Sequence, residues 1–311
     1  MDPVILVTGA NGFVGRHLIR HLSTPGNVRI VATDVHEALM PFGVSNTEVE
    51  YLSGDLSDRS FMERLANAQP FNTVVHLAAV LSQAADMQTY FSIMNSNIQA
   101  TFLLLEAAKQ KNARVIFPST ALVYGGQKGP FREDMPTDPS DFYALSKSMC
   151  EQLIRFYGNK YGVRSVIFRI GILYGPSQTG VMFIPSLVSA LLSGKEFPMT
   201  PGEQTRDFVF IGDFIQALRR AIQDETVSGV FNIGTGHAPT LKETAPAAEK
   251  VIGAAGKIKL GALPYREHES WEYCLNSDKA GKELGWLAVT GLEEGLSKTV
   301  EYVRQQARTH A

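Results

Sequence analysis

Cysteine is nearly absent: Cys150 and Cys274 are the only two in 311 residues, far apart and in no CxxC pair. Two such thiols exclude a disulfide framework and a zinc cluster, fit a reducing compartment, and make a cytoplasmic location the expectation. Charge is also sparse, 19% of residues with a net of −2, so nothing points to nucleic acid or an anionic membrane as partner. No apolar run approaches the ~20 residues that span a bilayer. The N-terminus runs straight into Val4, Ile5, Leu6 and Val7, and no leader is expected there. Phosphate-loop and HExxH patterns are missing, and the run from Gly175 to Thr179 lacks the last glycine of a nucleophile elbow. His17 and His21 stand four apart on a helical pattern without a third ligand, so no metal is expected. Internal repeats and low-complexity linkers are missing too.

What remains is an ordinary globular composition, 44% apolar, long enough for one large core or two intimate domains. Short β-branched runs at 4–7, 28–33, 73–77, 115–118 and 165–168 alternate with helical patterns at 17–22, 61–67, 101–110 and 147–160. That alternation predicts an α/β fold, a doubly wound parallel sheet with right-handed crossovers. After Gly175 the texture changes, with prolines at 176, 185, 198 and 201. A strand at 207–211, a helix at 213–223 and a strand at 230–233 read as a return to the sheet, and 240–306 reads as mainly helical. The expected division is 1–175 plus about 207–234 as a dinucleotide-binding Rossmann domain. About 176–206 plus 235–311 would form a smaller, interleaved substrate lobe.

The first strand leads into Thr8, Gly9, Ala10, Asn11, Gly12, Phe13, Val14 and Gly15, and a helical pattern follows. Gly9 permits a tight turn, Gly12 lets backbone N–H groups approach a pyrophosphate, and Gly15 lets helix and strand pack closely. Asp34 ends the second strand, nineteen residues past Gly15. A carboxylate there accepts both ribose hydroxyls of NAD and repels the 2′-phosphate of NADP, so the expected cofactor is NAD. As an isolated residue it would be an ordinary turn aspartate. Asp55 and Leu56 close a third short strand, where the context suggests contact with the adenine.

Tyr143 and Lys147 stand at i and i+4, a phenol and an ammonium on one helical face. A free phenol has a pKa of roughly 10, and an adjacent ammonium brings its phenolate towards working range. YxxxK alone is common by chance. Here Thr120 adds a hydroxyl at the C-terminal end of the fourth strand, the edge that faces ligands in an open α/β sheet.

Taken together, Gly9 to Gly15, Asp34, the His76, Leu77, Ala78, Ala79 run, Asn97, the Thr120 segment and Tyr143 with Lys147 resemble the extended short-chain dehydrogenase/reductase superfamily. More narrowly, they resemble its nucleotide-sugar epimerase/dehydratase branch. The likeness continues through Arg169 to Pro176, Arg206 to Val209, Phe231 to Gly234 and Glu283 to Trp286. It implies Tyr143 as acid/base, Lys147 as its partner and ribose anchor, and Thr120 as the hydroxyl polarising the substrate oxygen. Implied cofactor contacts are Asn11, Phe13 and Val14 beside the glycines, then Asp34, Asp55 and Leu56. Leu77, Ala78, Ala79, Asn97 and Ile170 complete them, together with Tyr143 and Lys147. Arg206 and Arg266 fall where the family binds the nucleotide diphosphate, work suited to guanidinium forks; a surface ion pair is the plain alternative for each. Gly171 departs from the family, which often carries Asn there, and the glycine-rich turn 125–130 carries no clear substrate signal.

The family's 4,6-dehydratases place an Asp-Glu pair directly after the catalytic threonine. Those positions are Ala121 and Leu122 here, which transfer no protons, so dehydration is not expected. The expected reaction is 4-epimerisation of a nucleotide-diphosphate sugar through a 4-keto intermediate. The alternative is an NAD(P)H-dependent 4-ketoreductase of an NDP-4-keto-6-deoxyhexose. A third is a non-catalytic NAD(P)-binding regulator, although such proteins usually lose the tyrosine or lysine. A homodimer through a four-helix bundle, built from 101–110 and 147–160, is implied by the resemblance. Residues 81–90 and the C-terminal lobe should select base and sugar.

Overall fold

The computed structural model describes residues 4–23, 28–40, 49–82, 84–179, 182–266 and 269–309. Residue 83, within the segment expected to select the sugar, therefore lies outside the described residues. By contact the chain divides into two compact units, each described below on its own. The first comprises Met1–Gly125, Pro136–Arg169 and Leu218–Phe231; the second comprises Gly126–Met135, Ile170–Ala217 and Asn232–Ala311.

In the first unit the order is β1 (Val4–Thr8), α1 (Phe13–Leu22), β2 (Arg29–Asp34), β3 (Val49–Ser53), α2 (Arg59–Ala68) and β4 (Thr73–His76). There follow α3 (Met87–Ile93), a π-helical turn (Met94–Gln99), α4 (Ala100–Lys111), β5 (Arg114–Thr120), α5 (Phe142–Tyr161) and β6 (Ser165–Ile170). The remaining elements are β7 (Ile172–Tyr174), α6 (Phe183–Leu192), β8 (Phe197–Pro198), β9 (Phe208–Phe210), α7 (Ile211–Gln223) and β10 (Gly229–Ile233). They end with α8 (Leu241–Ile252), β11 (Ile258–Lys259), α9 (Asp278–Glu283) and α10 (Leu292–Thr309).

Seven strands form a parallel sheet in the order β10-β6-β5-β4-β1-β2-β3, flanked by helices in the Rossmann manner. β1 sits between β2 and β4, Val7 opposite both Ala32 and Val75, so the chain reverses direction of travel there. That switch point opens the crevice where open α/β sheets hold ligands. The strands are apolar on both faces because helices cover both. On one face Leu6, Val31, Val74, Val115 and Ile167 pack under Leu65, Leu104, Leu105 and Ile154. Each leucine so buried contributes about 2 kcal/mol relative to exposure.

In the second unit, β7 pairs with β9 in a separate two-stranded parallel sheet, and β8 with β11 in another. The expectation that 207–211 rejoins the large sheet therefore fails, and the reason lies at Gly171. The chain breaks between β6 and β7 at that residue, and a Cβ on it would stand 2.6 Å from the Asp207 carbonyl oxygen. Ile172 N donates to the same oxygen at 2.7 Å. The close approach seats Phe208–Phe210 against the new strand, and it also accounts sterically for glycine where asparagine is common. Asp207 is fully buried and accepts from the N–H groups of Thr235, Gly236 and Leu275. Burial pushes its carboxyl up despite these donors. Among the described residues no helix is long and apolar enough to cross a membrane.

Candidate active site

The glycine turn joins β1 to α1. Gly9 has φ +64°, and a Cβ there would fall 2.7 Å from Ala78 N; one on Gly15 would fall 2.3 Å from the Gly9 carbonyl oxygen. Both positions thus require glycine, the first for its backbone and the second for helix–strand contact. α2, α3 and α5 are each N-capped by an aspartate side chain (Asp58, Asp86 and Asp141). By contrast α1 begins at Gly12 with no side-chain cap and no acid in its first turn. Its first N–H groups are left for an anion, and the positive end of the helix dipole favours one. The residues present fit a dinucleotide pyrophosphate.

Asp34 ends β2 beside this turn. Its Oδ2 accepts from Asn11 N at 3.0 Å, and its Oδ1 lies 2.6 Å from His36 Nδ1. Asn11 is a tether as well, its amide donating to Ala38 O and accepting from Met40 N. Phe13 and Val14 are half-buried in the first turn of α1. The third strand ends at Ser53, not at Asp55 as expected. Asp55 is exposed and bonds Ser57 N and Oγ at 2.8 Å each, holding a turn of its own. Leu56 turns into the core at 5% exposure.

Beyond β4, Leu77 and Ala78 are half-buried and Ala79 is exposed. Thr101 Oγ1 donates its proton to the Asn97 carbonyl, so it accepts from His76 Nε2–H at 3.1 Å. His76 Nδ1 is then the acceptor for the Thr8 hydroxyl, 2.8 Å away, and Thr8 Oγ1 in turn accepts from Ala78 N. Burial, with Lys147 adding to it, holds the His76 imidazole down to about 3, which keeps it neutral. Asn97 lies in the π-turn, 2% exposed. Its side chain pins the segment after β4 by accepting from Val80 N and donating to Val80 O, and it also donates to Ser146 Oγ.

Tyr143 occupies the first turn of α5, whose cap is Asp141. Lys147, 4% exposed, donates from Nζ to Pro118 O at 2.9 Å and lies over the Phe117 ring. Burial pulls its ammonium down to about 8, partly opposed by Cys150 and Glu151. Thr120, 8% exposed, ends β5 and caps the short 3-10 turn Ala121–Tyr124 by accepting from Leu122 N. The first unit thus gathers the glycine turn, Asp34, Asn97, Thr120, Tyr143 and Lys147 around the C-terminal ends of β1, β2, β4 and β5.

The other expected residues belong to the second unit. Ile170 is 4% exposed and Arg266 exposed. Arg206 bonds Glu269 at 2.6 Å and the carbonyls of Thr205 and Ser270 at 2.7 Å, with the Tyr273 ring beneath. Most of its fork is engaged. The sequence reading gave no role to Ser119, Ser146 or Glu151, and His76 entered it only within the run that resembles the family; Glu151 left a trace in standing one turn beyond Lys147.

Residues 5–234 match the family model described as the NAD dependent epimerase/dehydratase family. The chain belongs to that family. A dTDP-glucose 4,6-dehydratase of Neisseria gonorrhoeae is 30% identical over 96% of this chain and 94% of its own. The crystal structure of a UDP-glucose 4-epimerase of Thermotoga maritima with UDP-glucose superposes with a TM-score of 0.90 at 28% identity, covering 98% of this chain and 99% of that one. That of a Thermus thermophilus UDP-glucose 4-epimerase complex with NAD gives 0.87 at 27%, over 97% and 99%. This member of the epimerase/dehydratase family is an enzyme, and its cofactor is NAD.

Proposed function

We propose that the protein is a nucleotide-sugar 4-epimerase. The observation that carries this reading is the pair of residues after Thr120. Ala121 is buried and Leu122 half-buried in the 3-10 turn, and neither side chain moves a proton. Tyr143 and Lys147 are both present, one turn apart on α5. When bound, NAD supplies a hydride acceptor and donor. Tyr143 Oη takes the proton from the sugar 4-hydroxyl, and Thr120 Oγ1 bonds the same oxygen as it becomes a carbonyl. The Lys147 ammonium stabilises the phenolate and anchors the nicotinamide ribose. Asn97, through Ser146 and the Tyr143 carbonyl, holds the start of α5 in register. The glycine-turn unit binds the cofactor in this reading. Arg206 and Arg266 bind the nucleotide diphosphate in this reading, with Arg206 exchanging Glu269 for phosphate oxygens.

UDP-glucose and dTDP-glucose carrying deuterium at C4 test the proposal. The expected product is the C4 epimer, of unchanged mass and with the label retained, formed without added reductant. A product lighter by one water would overturn it in favour of dehydration. A reaction needing a 4-keto sugar and added reduced cofactor would identify a reductase instead.

A homodimer is part of the same proposal. Phe102 on α4 and Leu145, Met149 and Phe156 on α5 are 40–54% exposed, and Phe102 meets the Tyr157 ring between the two helices. Large apolar side chains concentrated on two neighbouring helices suit a second copy of the chain. Sedimentation at micromolar concentration is expected to give a dimer, and a monomer would refute it.

A further inference from the structure

We propose that Glu151 is a positioning residue of the hydride-transfer site: it fixes Ser119, the neighbour of Thr120, and places a carboxylate one helical turn from the Lys147 ammonium. The inference rests on the reading of Tyr143 and Lys147 as the reacting pair. Lys147 and Glu151 stand one turn apart on α5 and grip successive residues of β5. Lys147 Nζ bonds Pro118 O at 2.9 Å, and Ser119 Oγ donates to Glu151 Oε1 at 2.6 Å. Thr120 is the next residue, so its place relative to α5 is set by two polar contacts as well as by packing.

Glu151 is itself held from behind. Arg169, at 1% exposure, meets both carboxylate oxygens, with contacts of 3.1, 3.2 and 2.8 Å. The same guanidinium lies 4.8 Å from the centre of the Tyr124 ring, at the far end of the turn that Thr120 opens. One buried ion pair thus braces both ends of the segment that presents the hydroxyl. Stability alone does not account for it, because replacing a buried pair with apolar side chains of similar size is often neutral or stabilising.

The electrostatic half follows from what surrounds Lys147. His76 on β4 is neutral, and Tyr143 and Cys150 on its own helix are uncharged in their protonated forms. Cys150 and Glu151 oppose the desolvation of the ammonium; burial pushes the Cys150 thiol up and keeps it protonated, which leaves Glu151 as the charged group of the two, facing Arg169 on β6 and, at 3.3 Å, Arg155 on α5. Without it the ammonium would give up its proton at lower pH. Tyr143 would then lose its partner within the working range.

The test titrates Lys147 directly in NAD-loaded protein. Carbon-13-labelled lysine is followed by NMR and assigned with the Lys147→Met variant. In Glu151→Gln the midpoint is expected to fall by about one pH unit. Glu151→Asp keeps the charge and is expected to stay close to the wild type. Should Glu151→Gln not accumulate folded because Arg169 is left unpaired, the double variant Glu151→Gln with Arg169→Gln is compared with Arg169→Gln, in which Arg155 still faces the carboxylate, so that only Glu151 differs. A Lys147 midpoint unmoved by loss of the carboxylate would overturn the proposal while leaving the reaction assignment standing. Full turnover by Lys147→Met and Tyr143→Phe would instead overturn the reading beneath it.

Discussion

Tyr143→Phe is expected to lower turnover by about three orders of magnitude and to leave the NAD dissociation constant within about twofold. The substitution deletes one oxygen and keeps the ring. Asp141 still caps α5 through Ala144 N, and Ser146 still bonds the backbone carbonyl of residue 143. What disappears is the group proposed to accept the sugar proton. The Lys147 ammonium cannot replace it, since it has no lone pair with which to accept a proton. Steady-state rates on a turned-over nucleotide sugar, beside calorimetric titration with NAD, make the comparison. Unchanged turnover would remove Tyr143 from the chemistry.

Asp34→Ala is expected to weaken NAD binding by roughly 10- to 100-fold, the worth of one or two hydrogen bonds to a charged acceptor. NADP binding should change far less, because the repulsion of its 2′-phosphate is removed at the same time. In the free protein Asp34 already bonds Asn11 N and the His36 ring, so some of the loss will come from loosening the 34–40 segment. Comparing the two cofactors on one variant cancels that contribution. A wild-type protein that binds NADP more tightly than NAD would contradict the role given to this carboxylate.

Much of the first unit was legible because its signals are local. The strand, the glycines at 9, 12 and 15 and the acid at 34 lie within one βαβ stretch, and Tyr143 and Lys147 are separated by one helical turn. Asp34 was placed correctly at a strand end, whereas Asp55 was not. The first ends a strand beside the glycine turn, while the second has Ser57 to bond and closes its own turn. The π-turn at Met94–Gln99 was invisible, since one extra residue per turn hardly disturbs a 3.6-residue apolar period. The strand Phe208–Phe210 was recognised and given the wrong partner. Three apolar residues do not say which edge they join, and the deciding contact runs from Asp207 back to Ile172. The ion pair of Glu151 and Arg169 depends on a pairing eighteen residues apart that no helical or strand period encodes. Buried polar partners are what single-sequence patterns carry least well.

The central claim is that the uncapped turn at Gly12 and the carboxylate of Asp34 hold NAD for a reaction that returns the cofactor to its starting state. It is tested most directly by denaturing the purified protein and identifying the released nucleotides by mass spectrometry. NAD is expected at close to one per chain, without NADP, accompanied by a nucleotide-diphosphate sugar when one is retained. Release of NADP in its place, or of no dinucleotide from a protein that also fails to bind added NAD, would contradict it.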